Sequence, residues 1–180
     1  RDAFFQVISI ITCTGFATTD YLIWPTFLWI FIFALMFLGG STGSTAGGIK
    51  MARHLVFFKS IRENFKKLIH PNMVSVIRLN GNVINEENKL SIKTFVSWYI
   101  LVFIIGTFLL ILTGIDGKTS AGAAITTMSG IGPGIGTVGP ANNFSHLPQV
   151  GKMILILLML LGRLELYTIL ILFTPAYWKA

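Results

Sequence analysis

Charge and cysteine are what this sequence has least of. Only 12% of its 180 residues are Asp, Glu, Lys or Arg, against roughly 25% in soluble domains, so it cannot dress a water-exposed globular surface. Acids are scarcer still, 7 against 14 Lys and Arg. A single cysteine, Cys13, excludes a disulfide scaffold, and the missing G-x-y period excludes collagen. His54, His70 and His146 have no ligand-like spacing with Cys13 or with the acids. Neither a metal site nor a nucleophile, base and orienting acid is therefore expected, and the chain does not read as an enzyme. It begins at Arg1 with no initiator Met and no signal-peptide pattern, and is read as a fragment of a longer chain.

What is present is apolar. The hydrophobic share is 53%, with 15 Phe, and the mean hydropathy is +0.74; too much Leu, Ile and Phe is present for disorder. The composition belongs in a lipid bilayer. A net charge of +7 would suggest a nucleic-acid partner in a soluble protein, but nine of the fourteen Lys and Arg lie between Lys50 and Lys93. Membrane proteins concentrate Lys and Arg in cytoplasmic loops, so that segment is expected on the cytoplasmic side and no nucleic acid is expected as partner. The acids Asp20 and Asp116 fall in loops on the opposite side.

Thr94 to Ile115 is 22 residues without a charge, enough at about 1.5 Å per residue to cross a hydrocarbon core of roughly 30 Å. Thr26 to Gly39 is apolar but too short to span alone. It runs into the Gly-rich stretch Gly39 to Gly48 and resumes as Ile49 to Ile61, the pattern of a long helix broken in its middle. Val150 to Trp178 is long enough to span but carries Arg163 and Glu165 near its centre, where charge needs a partner or water. Ala3 to Thr12 and Ala121 to Ser129 are half-length, and each precedes a glycine loop: T-C-T-G-F at Thr12 to Phe16, and G-I-G-P-G-I-G at Gly130 to Gly136. Irregular backbone at membrane depth is tolerated only where protein or a water-filled cavity satisfies it, so both loops are expected to line a cavity or pore. Asn80-Gly81 between short apolar runs predicts a small cytoplasmic hairpin.

An internal repeat links these parts. Leu35 to Gly40 matches Leu158 to Arg163 at an offset of 123, as Pro25 matches Pro148, and Gly15 pairs with Gly132 at an offset of 117. Both copies read short helix, glycine loop, outer loop, proline, long helix. The fold class is therefore all-α: a polytopic membrane protein of helix, re-entrant loop, helix units. The divisions are 1–70 for one unit without its first helix, 71–92 for a cytoplasmic linker, and 93–180 for a complete unit.

Glycine loops can turn main-chain carbonyls toward one axis and so replace a cation's water shell. The negative C-terminal ends of the short helices favour a cation there. Selectivity would come from the main chain. A non-conducting scaffold or receptor-like subunit, whose glycine loops only bend the chain, is the alternative. Five glycines with Ser41, Thr42, Ser44 and Thr45 make Gly39 to Gly48 a hinge. A phosphate-binding loop counted from Gly43 would need Lys directly after Gly48, where Ile49 stands.

Four motifs in order, T-C-T-G-F-A-T-T-D, G-G-S-T-G-S-T-A-G-G-I-K, G-I-G-P-G-I-G-T-V-G-P and L-L-G-R-L-E-L-Y-T-I-L-I-L-F-T-P-A-Y-W, cover essentially the whole chain. They resemble the C-terminal half of Trk-type potassium uptake proteins of the Trk, Ktr and HKT superfamily. The resemblance implies four pore units around one potassium path, this chain supplying the third in part and the fourth. It implies that Thr12, Cys13, Thr14, Gly15 and Phe16, with Gly130, Ile131, Gly132, Pro133 and Gly134, form K+ selectivity-filter strands. Cys13 stands where the family often has Thr, and Gly130 where it often has Asn.

It further implies that Gly39, Gly40, Ser41, Thr42, Gly43, Ser44, Thr45, Ala46, Gly47 and Gly48 form an intramembrane gate loop, with Lys50 and Arg163 associated with it. Glu165, two residues beyond Arg163, points elsewhere on a helix and is a poor partner for it. The transported ion would be K+, by uptake or symport across the inner membrane. Lipid, the upstream half of the same protein, a cytosolic nucleotide-binding regulatory subunit and a second copy in a homodimer would be the partners. The basic residues Lys50, Arg53, Lys59, Arg62, Lys66 and Lys67 lie at the end where such a subunit docks, and also suit anionic lipid.

Overall fold

In a computed structural model, residues 1–163 are described except 71, 72, 74, 75 and 80. Glu165 and the rest of the last expected helix lie outside the described residues. Six helices and one short hairpin follow in order: α1 (Asp2–Ile11), α2 (Thr26–Leu35), α3 (Met51–Ile69), β1 (Arg78–Leu79), β2 (Asn82–Val83), α4 (Glu86–Leu112), α5 (Gly117–Ser129) and α6 (Gln149–Arg163). The all-α class is the one expected. The hairpin pairs Arg78 with Val83 and Leu79 with Asn82, antiparallel, around Gly81 at φ +85°.

Helix limits differ from the hydropathy limits for physical reasons. Helix α4 starts at Glu86, eight residues before Thr94. Glu86 and Glu87 in its first turn complement the positive end of the helix dipole, and a charged turn can stay helical outside the hydrocarbon. Its 27 residues reach about 40 Å, and among the described residues it is the one helix long and apolar enough to cross a membrane. Helix α5 starts at Gly117, four residues before Ala121, because Asp116 caps it: Thr119 N–H donates to Asp116 Oδ2 at 3.3 Å. Helix α3 runs on to Ile69, past Ile61.

The two copies of the repeat start their long helices at matching positions: α2 at Thr26 after Pro25, α6 at Gln149 after Pro148. Proline suits that place, since its missing N–H has no helical acceptor to serve. They then diverge. Helix α2 stops at Leu35 before the two poor helix formers Gly39 and Gly40, whereas α6 continues through the equivalent positions to Arg163.

The core lies where α5 packs between α4 and α6, with Ala123, Ala124, Ile125 and Met128 almost fully buried. Helix α1 packs on α2. The two units meet through buried Tyr21, whose hydroxyl donates to the Gly134 carbonyl at 2.6 Å, and through Lys118 Nζ, 4.3 Å from the Trp29 ring centroid. On the basic side, Lys89 on α4 reaches Glu63 on α3 at 3.2 Å, both side chains buried. Outward faces stay apolar: Ile104, Phe108, Leu112, Met153, Ile156 and Leu157 are all exposed. Soluble monomers rarely expose so continuous an apolar surface.

Candidate functional site

Each half-length helix ends in the same hydrogen-bonded turn. After α1, Cys13 N–H donates to Ile10 O at 3.1 Å and Thr14 N–H to Ser9 O at 2.9 Å. After α5, Gly130 N–H donates to Thr127 O at 3.2 Å and Ile131 N–H to Thr126 O at 3.0 Å. The offset is 117 throughout, the offset that pairs Gly15 with Gly132. Backbone angles repeat too: φ is +55° at Cys13 and +66° at Gly130, then +79° at Gly15 and +110° at Gly132. A left-handed residue after the last turn is the usual way to satisfy a helix's final carbonyls. Cys13 is the one non-glycine at positive φ among the described residues.

A side-chain bond repeats in the same register. Ser9 Oγ donates to Phe16 O at 2.6 Å, and Thr126 Oγ1 donates to Pro133 O at 2.9 Å. The carbonyls of Thr12, Cys13, Thr14 and Gly15, and of Ser129, Gly130, Ile131 and Gly132, receive no hydrogen bond among the described residues. The two loops also touch. A Cβ on Gly15 would lie 2.1 Å from Ile131 O, so no other residue fits there without moving the loop.

Beside the loops lies the Gly-rich segment, its Thr45, Ala46 and Gly47 lining one cavity with Thr12, Cys13 and Gly130. Its base is closed by backbone bonds: Gly39 N–H to Ile49 O at 2.8 Å, Ile49 N–H to Phe37 O at 3.1 Å and Met51 N–H to Gly40 O at 3.1 Å. The expected hinge is therefore pinned at both ends. One hydroxyl of the segment serves a backbone donor, Ala46 N–H donating to Ser44 Oγ at 3.1 Å. Two cations hold the segment's crown. Lys50 Nζ donates to Ser44 O at 2.6 Å and Ala46 O at 2.5 Å, and Arg163 Nη1 donates to Thr45 O at 2.7 Å. Gly47 lies against the second unit so closely that a Cβ would meet Ser129 O at 2.0 Å.

A cavity of about 710 Å³ joins these parts, lined by Thr12, Cys13, Ala46, Gly47, Ser129 and Arg163 among others. Of the site residues named from sequence, Thr12, Cys13, Thr45, Ala46, Gly47, Gly130 and Arg163 line it; the other loop and Gly-rich residues do not, Ile131 and Gly132 lining a neighbouring cavity with Gly130, and Phe16 is 72% exposed. Sequence reading missed a buried relay. Ser129 Oγ donates its only proton to Met36 O at 2.7 Å, so the Tyr99 hydroxyl 3.0 Å away is the donor to Ser129. It missed Ser9 and Thr126 as well, although both follow from the 117 register once the helix ends are fixed.

The whole chain, residues 1–180, matches the family described as TrkH, cation transport protein. The chain belongs to the TrkH family. It is 42% identical over 179 residues to the Trk system potassium uptake protein TrkH of Escherichia coli K12, and 38% identical over 177 residues to TrkI of Halomonas elongata. It aligns over 99% and 97% of its length but covers only 37% and 36% of those relatives. The structure of the potassium transporter TrkH from Vibrio parahaemolyticus superposes with a TM-score of 0.91 at 38% identity, over 98% of this chain and 37% of that one. The chain thus spans little more than a third of the length of these TrkH relatives, and its fold is theirs.

Proposed function

We propose that this chain forms part of a potassium-conducting membrane transporter. The loops at 12–16 and 130–134 contribute main-chain carbonyls to a K+ selectivity filter, and the segment Gly39 to Gly48 obstructs the path below it until it moves. The observation that carries this reading is the duplicated turn, which leaves two four-residue runs of carbonyls without donors among the described residues, the first two residues of each run lining one cavity with Thr45, Ala46 and Gly47 of the Gly-rich segment. Dehydrating a cation requires such carbonyls, and the backbone supplies them without an acid.

Potassium is assigned because the relatives are named for potassium uptake. Lys50 and Arg163 hold the segment in its obstructing position and place positive charge beside the path. The protein spans the inner membrane several times, with the segment Lys50 to Lys93 cytoplasmic, where its basic helix offers a docking face to a nucleotide-binding regulatory subunit. It works with the remaining pore units and as a homodimer.

The test is uptake of K+ and Rb+, with Na+ competition, by the full-length protein in liposomes, alongside its Gly132→Ser variant. Gly132 has open space for a Cβ but sits at φ +110°, so the substitution acts through the backbone. Selective uptake that the variant loses or opens to Na+ is the expected result. A folded parent that moves neither ion, with the cytosolic subunit present, refutes the pore and favours the scaffold.

A further inference from the structure

One residue of each half-length helix grips both ends of the loop that follows it. In the first unit it is Ser9: its carbonyl accepts from Thr14 N–H at 2.9 Å, and its hydroxyl donates to Phe16 O at 2.6 Å. In the second it is Thr126: its carbonyl accepts from Ile131 N–H at 3.0 Å, and its hydroxyl donates to Pro133 O at 2.9 Å. Both side chains are buried, Ser9 5% and Thr126 0% exposed. The residues differ in type but share position, offset and bonds.

The geometry points to Ser9 and Thr126 as positioning residues that set ion selectivity, an inference resting on the potassium-pore reading above. Neither hydroxyl carries an ion. Each engages the carbonyl at the outer end of its loop and so ends the run of donor-free carbonyls at Gly15 and Gly132. Selectivity by carbonyls depends on how many oxygens meet the ion and how firmly they are held. Release of the Phe16 or Pro133 carbonyl adds a mobile oxygen and lets the preceding ones relax, and a looser cage discriminates less against the smaller Na+. The hydroxyl is the needed feature, which Ser and Thr share, and the extra methyl of Thr126 is not.

The experiment compares Ser9→Ala and Thr126→Val with the hydroxyl-keeping Ser9→Thr and Thr126→Ser, in the full-length protein in liposomes, reading the ratio of K+ to Na+ uptake. Loss of a net hydrogen bond predicts a fall in that ratio of about two- to tenfold for each hydroxyl-removing variant. The hydroxyl-keeping variants should hold the parent's ratio. Thr126→Val keeps volume, so its folding, followed by size-exclusion profile and thermal melting, is separable from the ratio. An unchanged ratio in folded Ser9→Ala and Thr126→Val overturns the inference, as does an equal fall in Ser9→Thr and Thr126→Ser. A parent without selective K+ uptake instead refutes the pore reading itself, so the two failures are distinguishable.

Discussion

Lys50 and Arg163 seize three successive carbonyls from different elements: Lys50 those of Ser44 and Ala46, Arg163 that of Thr45. Bonds from charged donors are worth roughly 1.5–3 kcal/mol each. If the segment they hold obstructs the path, Lys50→Met or Arg163→Gln shifts it toward the open arrangement, and losing about 1.4 kcal/mol from the closed state multiplies the open fraction about tenfold. K+ uptake in each variant should rise by that order at parental expression; unaltered uptake would count against the clamp. A second residue-scale case is Asp116. Its hydrogen bond with Thr119 holds its carboxyl below the ordinary carboxylate range, so the cap is at full strength above about pH 4 and weakens as pH falls through the lowered folded-state value. Asp116→Ala should cost about 1 kcal/mol near neutral pH, measured by thermal melting, and the difference from the parent should shrink in acid.

Among the elements, the break between α2 and α3 and the unbroken α6 are one repeat with two outcomes. The break was legible, because paired glycines after an apolar run stop a helix. The half-length helices were legible from their length. The offset of 123 makes Arg163 the counterpart of Gly40 in the repeat, but its association with the broken segment was legible only through the family resemblance, and its bond to the Thr45 carbonyl only in the structure. What composition hid were contacts between elements of unrelated sequence. The α3–α4 pair Glu63–Lys89 is an example: neither residue was singled out from sequence, yet both are buried, with Lys89 also 2.8 Å from Glu86 and Glu63 3.1 Å from Lys67. Removing Lys89 leaves the buried Glu63 with Lys67 as its partner, so the loss should fall below the roughly 3–5 kcal/mol of a stranded buried charge. Lys89→Met should lower stability by about 1–2 kcal/mol, and Lys67→Met in addition should cost more than the two single losses summed, because Glu63 then loses both cations; thermal melting of the single and double variants decides.

At the scale of the molecule, the Tyr99, Ser129 and Met36 chain ties three regions together: α4, the end of α5 beside the second loop, and the point where α2 ends before the Gly-rich segment. Nothing in sequence spacing joins residues 36, 99 and 129, since the chain becomes continuous only when the two units pack. Its members are not equivalent. Tyr99→Phe removes one donor and leaves Ser129 bonded to Met36, so it should cost about 1 kcal/mol. Ser129→Ala leaves both a buried phenol and a buried carbonyl without their partner, so about 2–3 kcal/mol is expected. The double variant then lacks the stranded phenol and should cost less than the sum, by an interaction energy of roughly 0.5–3 kcal/mol. Uptake separates stability from coupling. Ser129→Ala unfastens the start of the Gly-rich segment and should raise K+ flux, whereas Tyr99→Phe leaves that anchor in place and should not. Equal flux changes in the two folded variants would mean that the chain braces the packing of the units without restraining the segment.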